Sequence, residues 1–302
     1  MRALVQCVPE ALSHIKYHKN VEIDEESVVP IDEMETLPIL LIQQAIHDYN
    51  RIGLHGPTNF TALLFIPILA EEGAKHNVGG VGMRGGLLCK EFLNGGGQNV
   101  LQYLVHPLLE RRERIVEIDY ESYDWICLAQ LRRLRELDLF KKEDIKQYRL
   151  LSIVWNDFVA KSIRKKTFEY LVDWDPDALN QRHWHRNETL LHGVGGCDRI
   201  PFQMILEAGL KHYPHEIGFL LHKSDCGESA LERAYKRIGE KDAWNAIKDC
   251  LEKTDAKKVL QRNPRTNMYP FMVAAMDGSV GCLDVAYYLL RKNPMVLRCA
   301  EK

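Results

Sequence analysis

The stretch Asp225-Cys226-Gly227-Glu228-Ser229-Ala230-Leu231-Glu232-Arg233-Ala234 decides how this chain is read. Asp225 and Gly227 are turn residues ahead of an apolar run. Ser229 and Glu232 stand three apart, the spacing of a capping box. The hydroxyl accepts from a free N–H of the first turn, and the carboxylate reaches back to the cap N–H. A first helix through Leu231, Ala234 and Tyr235 is expected, interrupted at Gly239. A second starts near Asp242, with Ala243, Ala246, Ile247 and Cys250 at i, i+3, i+4 and i+7 on one face.

Related openings lie 40 residues to either side. Thr189-Leu190-Leu191-His192 stands upstream (229 minus 189), followed by Phe202, Ile205, Leu206 and Gly209 at the same spacing. Tyr269-Pro270-Phe271-Met272-Val273-Ala274-Ala275 stands downstream (269 minus 229), with Leu283, Ala286, Tyr287 and Leu290 as the expected second-helix stripe. A second landmark closes some units: Pro9-Glu10-Ala11-Leu12, Pro176-Asp177-Ala178-Leu179 and Pro294-Met295-Val296-Leu297. Proline ends each second helix because it cannot continue the hydrogen-bond ladder. Helix pairs at one fixed period predict a solenoid, in which neighbours bury each other's stripes.

The pattern resembles the ankyrin repeat. Thr189-Leu190-Leu191-His192 is similar to the family's T-P-L-H opening. Asp225, Gly227, Ser229-Ala230-Leu231 and Ala234 fit its D-x-G-x-T-x-L-x-x-A frame, and Phe202 to Gly209 fit its second helix and closing glycine. The period here is near 40 where the family has about 33, and proline is replaced at Leu190 and Ala230. More narrowly, Arg84-Gly85-Gly86-Leu87-Leu88, Lys141-Lys142-Glu143-Asp144-Ile145 and the Tyr269–Ala275 stretch resemble a large group of divergent ankyrin-like proteins predicted from diatom genomes. The resemblance implies an all-α, right-handed solenoid of stacked helix-turn-helix repeats over residues 1–302. It further implies non-catalytic protein–protein interaction, without a cofactor.

Within that array, residues 1–36 read as a partial repeat and an acidic connector, 37–180 as irregular repeats and 181–302 as three regular ones. An array that begins in mid-repeat suggests a truncated gene model, since terminal repeats are normally polar caps. Leu37 to Ile46 is the next expected first helix. Phe65, Ile68 and Leu69 begin a second, closed near Gly73. Val100–Leu109 is a short apolar helix. Tyr123 to Leu137 is a longer one, with Trp125, Leu128 and Ala129 inward and Arg132, Arg133 and Arg135 outward. Lys141–Tyr148 is polar and leads into Leu150–Val154. Phe168, Leu171 and Val172 mark another second helix, ended by Asp175-Pro176.

Composition narrows the function classes. The chain has 302 residues, 46% hydrophobic and 27% charged, as folded proteins do. Its formal net charge of −2 argues against general attraction to nucleic acid, which needs a basic excess. The one concentrated basic feature, Arg111, Arg112, Arg114, Arg132, Arg133 and Arg135, is interleaved with Glu110, Glu113 and Glu136 and reads as a solvated helix face. The 8 cysteines never fall within four residues of one another, so they read as small buried apolar groups of a reducing compartment. No apolar run approaches the ~18 residues of a membrane span, and the first residues lack a signal peptide. An intracellular, cytoplasmic or nuclear monomer is the expectation.

Three stretches carry chemical candidates. Gly80-Val81-Gly82-Met83-Arg84-Gly85 spells G-x-G-x-x-G, but no strand precedes it, so a glycine-rich turn is expected, as at Gly95-Gly96-Gly97. His183, His185 and His192, with Cys197, are the best metal candidate and carry the alternative reading of a metal-binding or hydrolytic protein. In the favoured reading His192 instead links neighbouring repeats. Asp173 and Asp175 flank Trp174 as ordinary helix-end acids, and no nucleophile has a catalytic setting. Partner contacts are expected at the loop tips, through Trp184, His185 and Arg186 on one and Asn267 and Met268 on another.

Overall fold

The structure, a computed structural model, describes residues 60–89, 98–105, 120–154, 164–182, 186–194, 199–292 and 294. These residues are helical or in turns, with no strand among them. The chain divides into two compact units, Met1–Leu101 and Gln102–Lys302. The acidic connector, the expected helix Leu37–Ile46, the turn Gly95–Gly97 and Arg111, Arg112 and Arg114 lie outside the described residues.

In the first unit a 3-10 turn, Phe60–Phe65, runs into α1, Ile66–Lys75. Ile66, Pro67, Ala70 and Gly73 are buried, whereas Ile68 is exposed. The helix ends two residues past Gly73, near where it was expected to close, and Gly73 itself is buried. The reason is a close approach. The glycine-rich segment folds back so that a Cβ on Gly73 would sit 2.6 Å from the Gly85 carbonyl oxygen. Gly85 is left-handed (φ +68), and a Cβ there would meet the Ala74 nitrogen at 2.6 Å. The G-x-G-x-x-G letters therefore form a packed turn, as the sequence led one to expect.

The helix α2, Val100–Val105, spans the boundary between the units. The second unit then has α3 (Tyr120–Glu136), α4 (Lys142–Gln147), α5 (Leu150–Val154), α6 (Lys165–Trp174), α7 (Leu190–Val194), α8 (Arg199–His212), α9 (Ala230–Ile238), α10 (Glu240–Lys253), α11 (Ala256–Val259), α12 (Pro270–Asp277) and α13 (Cys282–Lys292). Short 3-10 segments follow α6 at Pro176–Asn180 and α8 at Pro214–Phe219.

Local chemistry explains the starts and stops. The Glu232 N–H donates to Ser229 Oγ at 3.2 Å and the Ser229 N–H to Glu232 Oε2 at 2.8 Å, which completes the expected capping box of α9. Gly239 ends α9 at φ +97, a value that favours glycine. The helix α6 has no side-chain cap of its own. Asp124 of α3 supplies one: its carboxylate accepts from the Lys166 N–H at 2.8 Å and the Thr167 N–H at 3.0 Å. Two of the orphan donors of a helix start are thereby satisfied from a neighbouring helix.

Packing follows the helix pairs. The contacts run α7 with α8, α9 with α10 and α12 with α13 within pairs, and α7 with α9 and α8 with α10 between them. α3 packs on α6 in the same way. Burial repeats at one spacing: Phe202, Ile205, Leu206 and Gly209 in α8, then Ala243, Ala246, Ile247 and Cys250 in α10. In α13 it is Cys282, Val285, Ala286 and Leu289. The expected stripe of Leu283, Ala286, Tyr287 and Leu290 is corrected by one residue. α13 carries apolar residues on two adjacent faces, and the face with Val285 is the buried one. In α3 Tyr123, Cys127, Leu128, Leu131 and Leu134 are buried, while Trp125 and Ala129, expected inside, are exposed. Gly209 repeats the α1 device: a Cβ there would lie 2.7 Å from the Gly218 carbonyl oxygen.

Candidate functional site

Among the described residues, connecting segments at 186–189, 223–229 and 263–268 lie between helices and are held by hydrogen bonds. Arg182 donates to the Asn187 and Lys223 carbonyls, at 3.3 Å each, and its guanidinium lies 3.3 Å from His222 Nδ1. The Asp225 N–H donates to the Arg186 carbonyl at 3.0 Å, so the first tip is hydrogen-bonded to the second. In the third, the Asn263 N–H donates to the Met268 carbonyl at 2.9 Å and the Asn267 N–H returns to the Asn263 carbonyl at 2.8 Å. Of the expected partner contacts, Arg186 and Asn267 are exposed and Met268 is half-buried. Trp184 and His185 lie outside the described residues. The second tip exposes Asp225, Cys226 and Gly227 as well. Its turn composition is visible in the sequence, where it also opens α9.

Behind the tips runs a polar network. His192 is buried. Its Nδ1 lies 2.8 Å from Thr189 Oγ1 and its Nε2 lies 3.2 Å from the Glu228 carbonyl of the next pair. Burial holds the His192 imidazole below its ordinary titration range. Arg233 donates to Glu188 Oε1 at 2.8 Å and to Glu228 Oε2 at 2.9 Å, bridging the same two pairs. The guanidinium pulls the Glu188 carboxyl below its usual value, and the Lys236 ammonium does so for Glu228. These contacts join neighbouring helix pairs, the role expected of His192.

The chemical candidates fare as follows. Both nitrogens of His192 are engaged by Thr189 and Glu228, and His183, His185 and Cys197 lie outside the described residues. Among the described residues no three His, Cys, Asp or Glu side chains converge as a metal site requires. Asp173 pairs with Lys211 at 2.6 Å. Asp175 is buried, with Lys146 at 3.4 Å. The outward arginines of α3 are used locally. Arg135 lies over the Trp174 ring at 4.1 Å, Arg132 over Tyr170 at 5.7 Å, and Arg133 pairs with Glu136 at 3.1 Å. Among the described cysteines Cys127, Cys250 and Cys282 are buried thiols, as expected, but Cys226 is exposed. Burial pushes the Cys250 thiol up to about 12, whereas a hydrogen bond from Ser224 holds Cys226 below its ordinary value.

No helix among the described residues is long and apolar enough to cross a membrane. Comparison of the chain with family models, curated proteins and solved structures finds no match to any of them.

Proposed function

We propose that this chain is a non-catalytic scaffold that binds another protein, built as a right-handed solenoid of ankyrin-like helix pairs. The observation that carries the reading is the recurrence of one burial register in α8, α10 and α13. Polar links between successive pairs accompany it, with Arg233 joining Glu188 to Glu228. A helix pair with a single apolar stripe cannot bury it alone, and stacking joins the stripes into one core. The tips carrying Arg186, Asn267 and Met268 then form a row of short turns on rigid supports, where sequence can vary without cost to the core.

The test is a pull-down with the purified full-length chain, read by mass spectrometry and repeated with two variants. Leu206→Asp places a charge at a fully buried site and is the misfolded control. Arg186→Glu combined with Asn267→Gly alters exposed tips, and glycine accepts the φ of 56 at Asn267, so the melting curve stays unchanged. A partner held by the native chain and lost with the tip variant supports the reading. No partner, or one held equally by the tip variant, refutes binding through these tips.

A further inference from the structure

His222 stands between two groups that fix its protonation from opposite sides. Its Nε2 lies 2.9 Å from Glu216 Oε2, and its Nδ1 lies 3.3 Å from a terminal nitrogen of Arg182. A carboxylate can only accept a hydrogen bond, and a guanidinium can only donate one. The imidazole is therefore neutral here, with its proton on Nε2 and the Nδ1 lone pair turned to Arg182. The hydrogen bond from His222 holds the Glu216 carboxyl below its usual value, which keeps Glu216 the anion that this arrangement needs. The Phe219 ring stands edge-on to the imidazole, with centroids 5.0 Å apart, and limits its rotation.

Arg182 also does more than meet the imidazole. Its other terminal nitrogen donates to the Asn187 and Lys223 carbonyls, so one guanidinium ties the first connecting segment to the second. Lys223 in turn pairs with Asp277, at the end of α12, at 3.2 Å. The bonds from Arg182 to the carbonyls are long, 3.3 Å each, and lie at the surface. The imidazole is thus the third support of a strap that crosses between helix pairs.

A second proton on this imidazole goes to Nδ1. The Arg182 contact then changes from a hydrogen bond to two N–H donors and two cations face to face, while the Glu216 contact gains charge. The charged groups of the packed elements have their own places. His215 reaches the same carboxylate from its other oxygen, with Nε2 3.7 Å from Glu216 Oε1, and Arg265 also acts on Glu216. His192 of α7 is engaged by Thr189 and Glu228. Lys211 and His212 of α8 face Asp173, and Lys257 and Lys258 of α11 are exposed.

We propose that His222 is a proton-operated latch: while the imidazole is neutral, Arg182 ties the segments at 186–189 and 223–229 together, and protonation of Nδ1 drives the guanidinium off. The segments are then left joined through the Asp225 N–H and the Arg186 carbonyl, 3.0 Å apart. The latch acts whatever the tips bind and does not depend on the scaffold reading.

The test is nuclear magnetic resonance of the full chain with 15N-labelled histidine, the His222 signals being identified by their loss in His222→Gln. Near pH 8 the spectrum should show the Nε2–H tautomer. Acidification to about pH 5 spans the range in which imidazoles ordinarily titrate and should protonate Nδ1. In Arg182→Met the midpoint should rise by at least about 0.5 pH unit, because the facing cation is gone. Over the same titration the hydrogen-exchange protection of the Asp225 N–H should fall at least about fivefold relative to that of the Ile247 N–H, which is buried in α10 and reports global unfolding. Arg182→Met should show the lower protection at both ends, and His215→Gln should keep the transition. An Nδ1–H tautomer near pH 8, an imidazole still neutral near pH 5, or an Arg182→Met midpoint that does not rise overturns the proposal. So does Asp225 protection that follows Ile247 throughout, or a transition lost with His215. The tautomer and the exchange of the native chain need no variant at Arg182, so a misfolded Arg182→Met leaves both tests standing.

Discussion

Gly209→Ala should destabilise the second unit even though alanine is the better helix former. In the middle of a helix the exchange ordinarily stabilises by about 1 kcal/mol. Here the added Cβ would stand 2.7 Å from the Gly218 carbonyl oxygen and 2.8 Å from its Cα. Ordinary contact begins at 3.4 Å, so the two backbones must part by about 0.7 Å, which is 3.4 minus 2.7. Gly218 sits at φ +58 in a buried segment and cannot swing aside as a side chain end would. Forcing a methyl into a packed core costs about 1–3 kcal/mol, and the clash is with backbone, so the upper half of that range applies. After the propensity gain, a net loss of about 1–2 kcal/mol remains. For a unit of this size that lowers Tm by roughly 2–8 °C. Gly193→Ala is the internal control. It too lies in a helix, α7, but a Cβ there meets nothing within 4 Å. It should stabilise by about 0.5–1 kcal/mol. Urea unfolding of both variants, with unchanged m-values, measures the difference. If Gly209→Ala is as stabilising as Gly193→Ala, the close approach of α8 to Gly218 is wrong.

Asp124→Ala should cost about 2–4 kcal/mol in urea unfolding, because it strips the acceptor from two backbone N–H groups of α6 in a buried setting; a loss below about 0.5 kcal/mol would show that α6 caps itself. Stability should fall on acidification below pH 6.5. The folded His192 pKa is lowered by burial, so the unfolded chain binds the proton more readily, and stability present above 6.5 is lost as pH drops towards the folded value. Glu188 and Glu228, also lowered, extend the loss below their ordinary 4.5 in the same direction. His192→Gln should shallow the upper part of a Tm-against-pH curve, to which His212, also lowered by burial, contributes in the same direction, and leave the lower part; an unchanged upper part would remove His192 from the buried network.

The helix pairs were legible because each carries its own local signals. Ser229 and Glu232 cap α9 from three residues apart, and the stripes of α8 and α10 are apolar on one face only. The register of α13 was not legible for the opposite reason. Cys282, Val285, Ala286 and Leu289 and the neighbouring Leu283, Tyr287 and Leu290 are both apolar at helical spacing, and only the packed neighbour decides between them. Trp125 is aromatic and so reads as interior, whereas it lies under the Lys166 ammonium, 4.0 Å away, at the surface. The Asp124 cap could not be seen at all, since donor and acceptor are 42 and 43 residues apart. The exposure of Arg186 and Asn267 followed from turn chemistry, but that of Leu283 and Tyr287 depended on knowing which stripe of α13 was buried.

The cap that α6 takes from α3 has a consequence for the order of events in folding. A short helix pays its nucleation cost at the first turn, where few hydrogen bonds repay the residues fixed. α9 carries both partners of its capping box and can begin on its own. α6 cannot complete its first turn until Asp124 arrives, and Asp124 is positioned only once α3 exists. The middle of the second unit should therefore assemble as a relay, α3 before α6, while α9 and its partners nucleate independently. α6 should then gain protection from hydrogen exchange after α3, while α9 gains it independently of both.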